Sequence, residues 1–148
     1  MTAVCEWTKG TFRVSTDPAL LDVAVIHGFL TTSYWSPGVP EAIVRRSIEH
    51  SLPFGLYDGT KQIGFARVIS DYTTFAYLAD VFVLDAWRGK KLAVWLMECV
   101  MSHPDLQKMR RWSLATRDAF GLYAKFGFTP LKHPDRFMEL HRPDIYKT

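Results

Sequence analysis

DAWRGKKLAVWLM, residues Asp85–Met97, sets three cations around one glycine at the point where a nearly unbroken apolar run begins. Arg88, Lys90 and Lys91 flank Gly89, and Leu92 opens the run. If this is a turn feeding a buried helix, its first backbone N–H groups lack intrahelical partners and lie at the positive end of the helix dipole. An anion such as phosphate can then bind main chain there. The alternative is a solvated connection that happens to be basic. Two nucleotide-binding readings fail on spelling. Leu92 and Ala93 follow the lysines where a triphosphate loop needs a hydroxyl for magnesium, and no G-x-G-x-x-G occurs in the chain.

Upstream of the turn, TFAYLADVFVLD predicts a strand over Thr74–Leu84, and PFGLYDGTKQIGFARVISD predicts two strands around the hairpin dipeptide Asp58-Gly59. FRVSTD alternates like a short strand, and Asp17-Pro18 then reads as the cap and first residue of a helix running to about Thr32. SYWSPGVP (Ser33–Pro40) breaks that helix with an aromatic-bearing loop, and helical spacing resumes over Pro40–His50. Downstream, a helix over Leu92–Ser102 stops before Pro104, followed by a strand over Arg111–Thr116, a short helix ending at Gly127 and a last strand over Arg136–His141. The order predicts an α/β or α+β domain with one central, mostly antiparallel sheet.

With 148 residues, 48% of them hydrophobic and 14% aromatic, the chain has enough apolar matter for one domain over residues 1–148. A net charge of +3 suits a small anionic ligand and falls short of the dense cationic stripe of a nucleic-acid binder, so nucleic acid is not an expected partner. Only Cys5 and Cys99 are present, and Cys99 sits in the apolar run as a small hydrophobe, which leaves no disulfide framework. No stretch approaches the length of a membrane span, and the N-terminus lacks the order of a signal peptide, so a cytoplasmic protein without a membrane partner is expected. No cluster with metal-ligand spacing occurs, and none of the five histidines is assigned a role.

The turn and its neighbours together resemble the GNAT acetyltransferase superfamily. Its R/Q-x-x-G-x-G/A loop is matched by Arg88-Gly89-Lys90-Lys91-Leu92-Ala93, preceded by VFVLDAW, and its second signature by LATRDAFGLYAKFGF, Leu114–Phe128. The resemblance implies a GNAT-like acyl-CoA N-acyltransferase fold and transfer of acetyl from acetyl-CoA to a primary amine of a small molecule, peptide or protein, by direct attack in a ternary complex without a metal. It places the main chain of Val81, Phe82 and Val83 along the pantetheine arm. Arg88, Gly89, Lys90, Lys91, Leu92 and Ala93 then meet the pyrophosphate. Asp118 caps the tyrosine helix or contacts the cofactor. Lys91 stands where the family usually has glycine. Its side chain either crowds a backbone that must approach phosphate or take a positive φ, or adds a charge to the site.

Acetyl transfer needs a neutral amine, yet a lysine-like amine titrates near ~10.4, so a base or water relay helps. Asp80, the acidic residue of the apolar YLADVFVL, is the candidate base, because burial disfavours a charged carboxylate and suits it to act near neutrality. Its alternative is a structural hydrogen-bonding role. Tyr123 holds the tyrosine position of the second signature and is the candidate acid for the leaving thiolate. Tyr34 and Trp35 are expected to line the acceptor pocket, with Arg67 and Asp71 as polar contacts. Two other readings stand beside this one: a module of the same fold that binds acyl-CoA with weak catalysis, and a nucleic-acid-binding domain. The family is compatible with a homodimer, with the apolar Phe137-Met138 strand at its interface.

Overall fold

The computed structural model describes residues 3–147 and builds one six-stranded sheet whose strands lie side by side in chain order. The sequence reading begins the sheet at Phe12. The structure adds β1 (Glu6–Lys9), a mostly exposed edge strand of four residues whose pattern carries little burial signal, paired with β2 (Phe12–Ser15).

The helix expected over Pro18–Thr32 is split in two. Asp17 caps a single 3-10 turn, Pro18–Leu20, and α1 (Val23–Leu30) starts afresh behind Asp22. The cause lies in the sheet: the backbone N–H of Asp22 donates to the side chain of buried Gln62 at 2.7 Å and is unavailable to a continuing helix. The carboxylate of Asp22 then accepts from Val25 N and begins the second segment. α2 (Glu41–Glu49) follows the aromatic loop, and β3 (Leu52–Asp58), β4 (Lys61–Ser70) and β5 (Phe75–Val83) form the expected antiparallel meander. α3 (Leu92–Ser102) has the bounds read from sequence. β6 (Arg111–Ser113) runs parallel to β5 and is shorter than expected, and α4 (Phe120–Ala124) completes the helices.

The strand expected over Arg136–His141 does not form. Pro134–Arg136 is a 3-10 turn, and among the described residues no strand pairs with those that follow, where Met138 is 99% and Leu140 81% exposed.

Each face of the sheet buries its own cluster. Phe54, Leu56, Ile63 and Val68 pack with Leu96, Met97 and Val100 of α3, while Phe65 and Phe82, cross-strand partners, pack with Ile26 and Leu30 of α1 and Val44 and Ile48 of α2. Fully burying each such side chain contributes roughly 1.5–3 kcal/mol. Two irregularities of β5 interrupt this regular packing. Phe65 pairs with Phe82 but Arg67 pairs with Ala79, so Asp80 and Val81 together oppose Ala66 in a β-bulge. In addition, β6 pairs with β5 only from Phe75 to Tyr77 and then leaves it.

Candidate active site

Because β5 continues to Val83 while β6 ends at Ser113, the backbone of β5 beyond Tyr77 has no strand partner among the described residues on the side away from β4. Backbone N–H and C=O groups require partners, and an extended ligand lying in the gap can supply them. The side chains along this stretch are committed inward: Val81 and Val83 join the α3 cluster, and Phe82 stacks on Phe29 at 4.1 Å between centroids.

The gap leads to the basic turn. A 3-10 turn, Asp85–Trp87, is followed by Gly89 at φ +83° and Lys91 at φ +60°, and α3 begins without any side-chain cap or acidic residue in its first turn. The N–H groups of that turn therefore face an uncompensated positive helix end. A cleft of about 160 Å³ lies there, lined by Val83, Trp87, Arg88, Gly89, Lys91 and Leu92 among others. Of the three cations, Arg88 is an internal brace, its Nε donating to the Val83 carbonyl at 3.1 Å and its Nη1 pairing with Asp85 at 2.8 Å. Lys90 and Lys91 are exposed and form no ion pair among the described residues. The expectation that Lys91 occupies a glycine-like backbone is met in one respect: it does adopt the left-handed conformation. Trp87, to which the sequence reading gives no role, anchors the turn to the β3–β4 hairpin, donating from Nε1 to Asp58 at 3.2 Å beneath the Lys61 ammonium.

A second group of side chains gathers at the bulge. Asp80 is held at φ +57°, and its carboxylate accepts from Arg67 Nε at 2.9 Å and, on the other oxygen, from Trp35 Nε1 at 2.9 Å. The side chains of Arg67 and Asp80 are only 15% and 11% exposed. Tyr34 meets Trp35 edge to face, and its hydroxyl accepts from the backbone N–H of Arg117 at 3.0 Å while the Arg117 guanidinium lies 4.0 Å over its ring. Tyr123, presented by α4, is buried near Tyr34. Burial first, and Tyr34 second, push its hydroxyl up to about 12. Tyr34, Trp35, Arg67, Asp80 and Tyr123 are thus brought together, joined by Arg117, which the sequence reading passes over.

Asp71 does not join them. Its carboxylate accepts from the backbone N–H groups of Thr73, Thr74 and Phe75 and from the Thr74 hydroxyl, which holds it well below the usual carboxylate range and commits it to the β4–β5 turn. That turn lies four residues past Arg67, about 13 Å along the strand. Asp118 does not cap α4 either. Ala119 is the cap residue and its N–H donates to Thr116 Oγ1 at 3.0 Å, leaving Asp118 exposed beside Arg117 at 3.6 Å. Among the described residues, no group of three or more His, Cys, Asp or Glu could hold a metal ion, and no helix is long and apolar enough to cross a membrane.

An unpaired stretch of β5, an uncapped basic helix start and a cluster of polar and aromatic side chains that includes a buried phenol thus lie on and beside β5. Comparison with known proteins gives this arrangement a family. The sequence pattern described as an acetyltransferase (GNAT) domain matches residues 49–130, more than half of the chain. A Gibberella zeae protein provisionally named an acetyltransferase is 33% identical over 144 residues, covering 81% of this chain and 80% of its own. A crystal structure from Xanthomonas campestris pv. campestris, provisionally named an acetyltransferase of the GNAT family, is 50% identical, covers 100% of this chain and 99% of its own and has a TM-score of 0.89. An acetyltransferase structure from Clostridium acetobutylicum, also provisionally named and solved with acetyl-CoA, covers 95% of this chain and 96% of its own at TM-score 0.62 and 11% identity, a likeness of fold alone. On the domain match and these sequence identities, the chain belongs to the GNAT acetyltransferase family.

Proposed function

We propose that this protein transfers the acetyl group of acetyl-CoA to a primary amine of a small molecule, peptide or protein, by direct attack in a ternary complex, with residues 1–148 acting as one domain. The observation that carries the proposal is the parting of β5 from β6 immediately ahead of an uncapped, basic helix start. The pantetheine arm pairs with the free main chain of Val81, Phe82 and Val83. The pyrophosphate takes the amides of Gly89 to Ala93, with Lys90 and Lys91 adding charge and Arg88 bracing the turn. Asp118, exposed at the start of α4, offers a further polar contact to the cofactor. That the Clostridium acetobutylicum protein of like fold was solved with acetyl-CoA is in keeping with this assignment.

The acceptor enters beside Tyr34 and Trp35, near Arg67 and Asp80. A carboxylate offers about four lone-pair sites, and Arg67 and Trp35 occupy one on each oxygen, so Asp80 keeps capacity to accept the amine proton directly or through water. The neutral nitrogen then attacks the thioester carbonyl, the ammonium that forms in the tetrahedral intermediate gives its extra proton to water, and the carbon–sulfur bond breaks as the intermediate collapses, releasing CoA as a thiolate that takes its proton from solvent. Tyr123 faces that departure as a donor. An ordinary thiol titrates near ~8.5 and this phenol at about 12, so Tyr123 donates a hydrogen bond to the sulfur and keeps its proton.

A second reading, a module of the same fold that binds acyl-CoA with weak catalysis, is favoured by the left-handed Lys91 where glycine would sit without strain. Calorimetric titration with acetyl-CoA, for the wild type and for Lys91→Gly, followed by an amine panel read by thiol release, separates the two. Binding at about micromolar or tighter with amine-dependent release supports the transferase. Binding without release supports the module, and no binding by either protein ends both.

A further inference from the structure

Arg67 has more hydrogen-bonding capacity than its own chain uses. A guanidinium carries about five N–H donors in a planar fork. Here Nε donates to Asp80 at 2.9 Å and Nη1 to the Ser51 hydroxyl at 3.4 Å, while the proton of that hydroxyl goes to the Ser47 carbonyl. The other N–H groups have no acceptor among the described residues. No Arg67 nitrogen is buried without a partner, so the free side of the fork opens to solvent. Such a fork fits a carboxylate.

What lies around the fork says what accompanies that carboxylate. Asp80 and Arg67 set an anion and a cation side by side, their side chains 11% and 15% exposed. A molecule whose amino and carboxylate groups stand on one carbon meets both at once, whereas a polycation meets Arg67 as a like charge. Across β4 and β5, Arg67 faces Ala79 and Ile69 faces Tyr77, and strand alternation puts all four on one face of the sheet. Ala79 projects only a methyl group beside the guanidinium, Ile69 is 42% exposed and Tyr77 is half-buried, which makes an apolar shelf next to the ion pair. We propose that the acceptor is a free α-amino acid with an apolar side chain. Its amino group lies at Asp80, its carboxylate on the open fork of Arg67, and its side chain over Ala79, Ile69 and Tyr77 beside Trp35.

This acceptor presupposes the acetyl transfer proposed above. The products are the N-acetyl amino acid and the thiol of CoA, and the extra proton of the starting ammonium goes to solvent. A peptide or protein N-terminus offers the same amine with an amide where the amino acid has its carboxylate, and an amide brings the fork no anionic partner. A simple alkylamine brings it no partner at all.

Initial rates with acetyl-CoA and phenylalanine, phenylalaninamide or phenethylamine test it, read by thiol release and by the mass of the product. The amine of the amide sheds its proton most readily of the three, so intrinsic reactivity runs against the expected order. The kcat/KM for phenylalanine should exceed both others by roughly tenfold to a hundredfold, as charge-assisted hydrogen bonds provide. It should also exceed that for aspartate, whose side chain brings a charge onto the apolar shelf. Arg67→Lys keeps a cation beside Asp80 without the fork. It should bring the ratio of phenylalanine to phenylalaninamide toward one through KM for the amino acid, with acetyl-CoA affinity by calorimetry unchanged. The proposal is overturned if the amide, the alkylamine or aspartate serves as well as phenylalanine, or if Arg67→Lys keeps the full preference. Should Arg67→Lys lose its fold by circular dichroism, the wild-type ratios decide. Release with other amines but not with phenylalanine overturns the acceptor and leaves the transferase standing, whereas acetyl-CoA binding without release for any amine ends both.

Discussion

Asp80 keeps a backbone conformation that costs a non-glycine residue roughly 1–2 kcal/mol, held there by Arg67 from the neighbouring strand and Trp35 from the acceptor loop. Such strain persists only where surrounding contacts over-determine it. Here those contacts tie the loop to the bulge that opens β5. Asparagine tolerates the left-handed region and retains an oxygen for the Trp35 N–H, so Asp80→Asn removes the charge while sparing the geometry. The expected outcome is slower turnover with a flattened acid limb of the pH–rate profile. An unchanged profile would leave Asp80 only its role as a staple. For Tyr123 the expectation is a loss confined to chemistry. Tyr123→Phe keeps the buried ring but removes one hydrogen-bond donor to the charge developing on sulfur, and should lower kcat by roughly 10²-fold, with acetyl-CoA affinity by calorimetry nearly unchanged. Equal turnover would remove the phenol from the mechanism.

At the scale of elements, the turn before α3 shows what short-range spelling carries. The limits of α3 are legible because Gly89–Lys91 opens the apolar run and Pro104 closes it, both local effects of backbone chemistry. The break ahead of α1 is not legible, since it is set by Gln62, 40 positions away, and Arg117 escapes notice because its partner Tyr34 lies 83 positions away. Asp80 can be picked out as an acid in an apolar strand, but its bulge depends on register with β4 and its two donors on tertiary contact. Asp71 misleads for the opposite reason: it is satisfied by a local turn that spacing alone does not separate from a site contact. The glycine resemblance at Lys91 was legible and carries a prediction. Lys91→Gly relieves a left-handed side-chain clash of about 1–2 kcal/mol and gives back about 0.4–1 kcal/mol through the freer unfolded chain. The net gain should raise Tm by a few degrees, about 2–4 °C per kcal/mol. Acetyl-CoA binding by the variant should also depend less steeply on salt, because one cation has left the site. A Tm that falls would mean the lysine side chain makes contacts worth more than the strain.

His103 bears on the stability of the whole molecule, because it is fully buried where α3 ends and touches rings from two strands, Trp7 of β1 and Phe54 of β3. Its Nδ1 accepts from the Asp105 backbone N–H at 3.1 Å, which assigns the ring proton to Nε2, and that atom has no hydrogen-bond partner among the described residues. The imidazole meets the Phe54 ring edge to face, with 5.8 Å between centroids. Burial lowers the histidine pKa below its ordinary 6.5, with Asp105 opposing the shift. Since the folded state resists a proton that the unfolded state accepts, the stabilisation is complete above pH 6.5 and is lost as pH falls from there toward the folded-state value. One proton can contribute at most ~1.4 kcal/mol per pH unit to that slope. Urea denaturation between about pH 8 and about pH 5 should therefore show a stability decline that is shallower in His103→Leu, although the variant starts lower for want of the Asp105 bond. If the two slopes coincide, the acid sensitivity belongs to other groups, and the packing of α3 on the first hairpin is not governed by this ring.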